Sequence, residues 1–239
     1  MEKLKNIQKI NGAQLKYIAF ASMFIDHFNK AIITPFLTGS GPLVILTTIF
    51  DIIGRIAFPI FAFMVVEGFF KTKSRWKYLR NLLIFAAISE IPYDMFQSAV
   101  FVNTWSQNIL WGLALGLFTI MVIDKLKEKI KKRPIWIFVS ILIVALASLG
   151  SMLISADYEY YAIIIIYIYY LFYEKRLLAS GLGYLMIIKE IYAILGFATV
   201  LLYNGEKGKQ NKIFNYFFYP VHLLIFGIKG WYLKSKGKV

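Results

Sequence analysis

The sequence has no cysteine and only two histidines, and its 13 acidic residues are outnumbered by 27 lysines and arginines. Without cysteine there can be no disulfide framework, thiolate metal site or cysteine nucleophile, and the compartment stays open because a cysteine-free chain suits either side of a membrane. No metal is assigned to the remaining donors. Charge is scarce as well, at 17% of residues against 59% hydrophobic. The apolar residues come in long blocks separated by short charged clusters, not at amphipathic spacing. A soluble domain of 239 residues needs a polar face on most helices, and residues 135–154 offer none. The solvent of this chain is lipid.

A span takes about 20 apolar residues. On that measure helices are expected near 14–36, 43–70, 79–97, 107–124, 135–154, 159–173, 177–188, 190–203 and 213–233, the seventh and eighth being short. The fold class is therefore all-α: a polytopic transmembrane bundle of about nine helices (eight to ten), forming one domain over 1–239 with no transporter-like internal repeat. Lys3, Lys5 and Lys9 precede the first apolar run, which is long enough to span and is read as a retained helix, not a signal peptide. Basic clusters fall at 71–80, 125–133, Lys175/Arg176 and 207–212, whereas the loops 37–42, 98–106 and 155–159 have no Lys or Arg. This alternation places the N-terminus and the basic loops in the cytoplasm. It also accounts for the net charge of +14 through topology and anionic lipid, with no nucleic-acid partner. The C-terminal Lys234, Lys236 and Lys238 fall on the opposite side if nine helices are right.

Ionisable groups inside a span are costly, by roughly 2.5–3.5 kcal/mol each on insertion scales, so those present usually face a cavity or a partner. The first span holds Asp26 and His27, the second Asp51, Arg55 and Glu67, the third Glu90 and Asp94, and the last His222. His27, Arg55, Glu90 and His222 lie at similar depth on four helices, where a bundle can gather them. A structural reading competes: Asp51 and Arg55 stand at i,i+4 and can pair on one face. An imidazole, by contrast, can accept and return a proton near neutral pH, as a general base must. Asp26 is adjacent to His27, but neighbours on a helix point about 100° apart. Lys16 precedes His27 by three turns, about 16 Å along one face, which suits an anionic cosubstrate with a long thin arm as well as it suits a lysine snorkelling at the membrane edge. Pro59 and Pro92 follow the buried charges closely, and the carbonyls they free are tolerated where a protein cavity receives them. Tyr203-Asn204-Gly205 opens a turn whose amides and lysines can hold phosphates or simply reverse the chain.

Several blocks resemble the TraX family, named for the F-pilin acetylase of conjugative plasmids, within the wider superfamily of membrane acyltransferases of the acyltransferase-3 kind. They are Ile25-Asp26-His27; Arg55-Ile56-Ala57-Phe58-Pro59 leading to Glu67-Gly68-Phe69; Ser89-Glu90-Ile91-Pro92-Tyr93-Asp94; Tyr203-Asn204-Gly205-Glu206-Lys207-Gly208; and Phe218-Tyr219-Pro220-Val221-His222. The resemblance implies transfer of an acetyl or other acyl group from cytoplasmic acetyl-CoA or another acyl-CoA to an amine or hydroxyl, in a bacterial inner membrane. His27 corresponds to the catalytic histidine, with Asp26, Arg55 and Glu90 shaping the site. Lys16, Lys71, Arg75, Tyr203, Asn204 and Lys207 are the residues expected to hold the cosubstrate, and Asp51, Asp94 and His222 to meet the acceptor. In the better-known branch an arginine stands where Lys16 stands here; lysine keeps the charge and loses the planar fork. The acceptor is open between a pilin-like N-terminus, a surface glycan and a small molecule. Two other functions fit the same residues: a proton-coupled carrier using mid-membrane His, Glu and Asp, and a non-catalytic scaffold for a surface assembly.

Overall fold

The computed structural model describes residues 7–37 and 41–236; Lys3, Lys5 and Lys238, and the side chain of Lys234, lie outside that description. The described chain is helical throughout, without strands. Its segments are α1 (Gly12–Phe28), α2 (Pro42–Gly54), α3 (Ala57–Lys71), α4 (Arg75–Ser98), α5 (Ile109–Lys129), α6 (Arg133–Leu153), α7 (Glu159–Leu171), α8 (Arg176–Met186), α9 (Ile194–Leu201) and α10 (Lys212–Ser235). Taking α2 and α3 as one broken rod, nine helices appear among the described residues, as the apolar blocks predict.

Local chemistry explains where the helices start and bend. Asn11 caps α1 in a reciprocal box: its side chain accepts from the Gln14 amide at 3.0 Å, and the Gln14 side chain accepts from the Asn11 amide at 3.0 Å. Past Phe28 the chain widens into a π-helical turn, Asn29–Ile33, and then a 3-10 turn around Pro35. The rod Pro42–Lys71 breaks at Arg55 and Ile56. Pro59 sits in the first turn of α3, where its missing N–H leaves no helical bond unmade. Pro92 and Pro220 lie inside α4 and α10.

Pro42–Lys71, Ile109–Lys129 and Arg133–Leu153 are long and apolar enough to cross a membrane. α6 shows what surrounds them: Phe138, Ile141, Leu142, Leu146 and Leu149 are all exposed. In water such a stripe would drive aggregation, whereas in hydrocarbon it is the natural surface. The expected short spans at 177–188 and 190–203 are half-length helices. Arg176–Met186 and Ile191–Leu201, the latter including a 3-10 turn, each reach about 16 Å, near half of the roughly 30 Å core.

Backbone contacts gather the chain into two compact units: Met1–Phe61, Ile88–Asn103 and Ile187–Val239 form the first, Ala62–Ala87 and Thr104–Met186 the second. In the first, α1 turns a polar face on α2. Ser22 donates to the Ile53 carbonyl at 2.6 Å, and Asn29 donates to the Thr47 carbonyl and to Asp51 at 3.1 and 2.9 Å. Gly54 permits this approach, because a Cβ there would stand 2.5 Å from Asp26 Oδ1. The opposite face of α1 packs on α10 through rings, with Phe20 stacked on Phe218 at 4.5 Å. α4 meets α10 at Gly227, where a Cβ would fall 2.7 Å from Met95 Cβ.

In the second unit, polar contacts cluster at one end. Arg75 pairs with Asp124 at 2.6 Å, and Tyr170 donates to the other oxygen of that carboxylate at 2.9 Å. Tyr173 donates to Glu67 at 2.7 Å, and burial together with that bond pushes its phenol pKa up. α5 lies close to α7 where Gly112 faces Ala162, a Cβ there falling 3.5 Å from the alanine's.

Candidate functional site

The two histidines meet. His27 Nδ1 lies 2.8 Å from His222 Nε2, their rings nearly parallel at 7°, joining α1 to α10 in the first unit. His222 is buried, and its Nδ1 stands 2.6 Å from the carbonyl of Phe218, one turn earlier. A carbonyl only accepts, so this nitrogen carries a hydrogen. In a neutral ring Nε2 then holds a lone pair, and His27 Nδ1 must donate into it. The same logic leaves His27 Nε2 unprotonated. That atom lies 3.9 Å from Asp26 Oδ2, which also takes the Lys30 ammonium at 2.7 Å. The arrangement can do what a general base requires: one ring nitrogen held as an acceptor, the other anchored, and a carboxylate near the charge that protonation creates.

Aromatic rings pack against the pair. Phe218 stacks on His222 at 4.7 Å, and Phe96 of α4 lies 4.7 Å from the His27 ring. Phe24 touches the same assembly, 6.4 Å from His222 and 5.3 Å from Phe226.

The other expected residues distribute as follows. Asp26, His27 and His222 come together. Asp51 receives Asn29. Arg55, which could have paired with Asp51 at i,i+4, places Nε 2.9 Å from Glu190 Oε2. α2 ends at Gly54, and Arg55 is its C-cap, its backbone N–H still bonded to the Asp51 carbonyl. Asp94 is buried and accepts from the Asn103 amide at 2.8 Å, while its Oδ1 is unpartnered. Glu90 is half-buried one turn before it.

At the start of α1 a second group forms. Ile10 and Tyr203 pair as an isolated parallel bridge, with Ile10 donating to the Leu202 carbonyl at 3.0 Å and Asn204 donating to Ile10 at 2.8 Å. Gly12 donates to the Glu206 carbonyl at 2.7 Å. The loop reverses at Gly205 (φ +88°) and Gly208 (φ +69°), a left-handed region that glycine enters without strain. Lys16 donates to Gln210 at 3.1 Å, so Lys16, Tyr203, Asn204 and Lys207 share one end of this unit. Lys71 and Arg75 instead stand beside carboxylates of the second unit, Glu67 at 3.8 Å and Asp124 at 2.6 Å.

Four participants escape the sequence reading: Phe96, Phe218, Lys30 and Glu190. Lys30 carries a usable signal, since it stands at i,i+4 from Asp26. The carbonyl role of Phe218 and the long-range partner of Arg55 leave none.

The family model for the TraX protein matches residues 11–229. The chain is also 28% identical over 244 residues to the probable fimbrial assembly protein FimC, serogroup H1, of Dichelobacter nodosus, covering 89% of this chain and 92% of that protein. No solved structure matches. The chain belongs to the TraX family.

Proposed function

We propose that this protein is an acyltransferase embedded in a bacterial inner membrane, moving an acetyl or other acyl group from cytoplasmic acyl-CoA to an amine or hydroxyl, with His27 as general base. The observation that carries the proposal is the Phe218 carbonyl–His222–His27 chain, which leaves the lone pair of His27 Nε2 free. In the reaction the acceptor nitrogen or oxygen attacks the thioester carbonyl while His27 Nε2 takes its proton. The carbon–sulfur bond then breaks, and the imidazolium returns the proton to the departing CoA thiolate. Asp26 supports the transient positive charge, and His222 holds the ring.

Lys16, Tyr203, Asn204 and Lys207 form the cosubstrate end, where lysines and loop amides suit phosphates, about 16 Å from His27 by helical rise. The pantetheine arm fits that span. Lys71 and Arg75 are left out of this end, since each already stands beside a carboxylate. The relative's name links that protein to fimbrial assembly, and it favours a component of a surface structure as acceptor here, such as a pilin-like N-terminus. The N-terminus and the basic loops are cytoplasmic in this reading, as the charge asymmetry requires.

The test is incubation of proteoliposomes with acetyl-CoA labelled in the acetyl group, together with candidate acceptors. Label should appear in an acceptor amine or hydroxyl, and the thiol of CoA should be released in equal amount. Half-length helices support a second reading as a carrier, since such helices build transporter sites. Substrate flux into the same vesicles without any acyl donor would favour that reading.

A further inference from the structure

The second unit contains a cavity of about 660 Å³ that the acyl-transfer reading does not use. Three exposed cations, Lys127, Lys131 and Arg133, lie at its lining where α5 ends and α6 begins. Trp136, Tyr170 and Ile137 also line it. Its one carboxylate, Asp124, is already held by Arg75 at 2.6 Å and Tyr170 at 2.9 Å, so the lysines and Arg133 dominate the charge. Trp136 is fixed by donating its indole N–H to the Ile123 carbonyl at 3.2 Å, and Lys127 lies over its ring at 5.6 Å.

The occupant must match cations at one end and apolar walls at the other. We propose that this cavity binds one anionic phospholipid, its phosphate among Lys127, Lys131 and Arg133 and an acyl chain running down α6. Two further observations fit an amphiphile better than a water-soluble phosphate. The wall continues from Ile137 into the exposed stripe of Phe138, Ile141 and Leu142, which already faces hydrocarbon. Only 22% of the most apolar stretch of α6 is buried within the protein, leaving the helix open to a lipid chain along most of its length. Basic residues at a membrane edge attract anionic headgroups, and a tryptophan at the same level anchors at the interface.

The full chain, purified and exchanged into detergent, is mixed with phosphatidylglycerol or phosphatidylcholine, and bound lipid is counted by native mass spectrometry. The expected result is one retained phosphatidylglycerol with little phosphatidylcholine. A Lys131→Gln/Arg133→Gln variant should bind it about thirtyfold more weakly, as expected for two surface charges. Equal retention of the two lipids by the wild type overturns the proposal. So does undiminished binding by a folded variant, or displacement of the lipid by equimolar glycerol 3-phosphate, which would make the site one for soluble phosphates. Should the variant fail to fold, the comparison of the two lipids on the wild type decides alone.

Discussion

His27 and His222 share a hydrogen bond of 2.8 Å, and the bond has a direction because the Phe218 carbonyl occupies the other nitrogen of His222. A single backbone oxygen on α10 therefore sets which nitrogen of His27 is free on α1. This makes the two histidines unequal: in the proposed transfer His27 reacts and His222 positions it.

The inequality predicts different outcomes for His222→Gln and His222→Leu. Glutamine can offer an oxygen to His27 Nδ1–H; leucine cannot. The bond strengthens when His27 becomes charged, and hydrogen bonds to charged groups contribute about 1.5–3 kcal/mol, so kcat for the leucine variant should fall about 10- to 150-fold. Glutamine should recover much of it. Turnover of the two variants at saturating acyl-CoA checks this, and equal losses would assign His222 to packing alone.

Because His27 must be neutral to take a proton, turnover should fall as pH drops through its ionisation in the enzyme. The acid limb should vanish from the residual rate of His27→Ala. A pH–rate profile of both proteins, with thermal unfolding run in parallel, separates this loss from acid denaturation.

Gly54→Ala should be disruptive despite adding one methyl group. The new Cβ would fall 2.5 Å from Asp26 Oδ1 and 2.7 Å from Asp26 Cβ, which leaves α1 and α2 to move apart. Overpacking of this kind costs about 1–3 kcal/mol. A lowered unfolding temperature in detergent, with turnover reduced alongside it, is the expected outcome.

Lys16→Ala and Lys207→Ala should raise KM for acyl-CoA while sparing kcat, because phosphate contacts far from the reacting carbon bind substrate and transition state alike. Arg75→Gln should leave that KM unchanged and affect stability instead through Asp124. Steady-state kinetics with varied acyl-CoA give both answers.

Arg55 and Glu190 should behave as a pair. Reversing either charge alone should destabilise the protein more than reversing both, since the double variant restores an ion pair at the break between α2 and α3. Unfolding temperatures of the two single variants and the double variant measure the coupling.

The rods were legible in the sequence because lipid demands long apolar runs and confines charge to their ends. The meeting of His27 with His222 was half legible: equal depth on two spans made convergence plausible, but the bond's direction depends on a carbonyl that any residue at 218 would supply. The break between α8 and α9 was legible, since Lys189 and Glu190 interrupt the apolar stretch and the helices expected at 177–188 and 190–203 are found at Arg176–Met186 and Ile191–Leu201. The Glu190 partner of Arg55 was not legible, because a contact so distant in sequence follows from how separate helices pack, which spacing along one helix does not reveal. The π turn after Phe28 has no residue signature at all.

The role of His27 as the base of an acyl transfer is tested by acetyl-CoA thioester cleavage with the purified protein, wild type against His27→Ala, with binding measured on both. The variant should bind acetyl-CoA as the wild type does and cleave it about 10²- to 10⁴-fold more slowly. Equal cleavage by the two proteins would contradict that role.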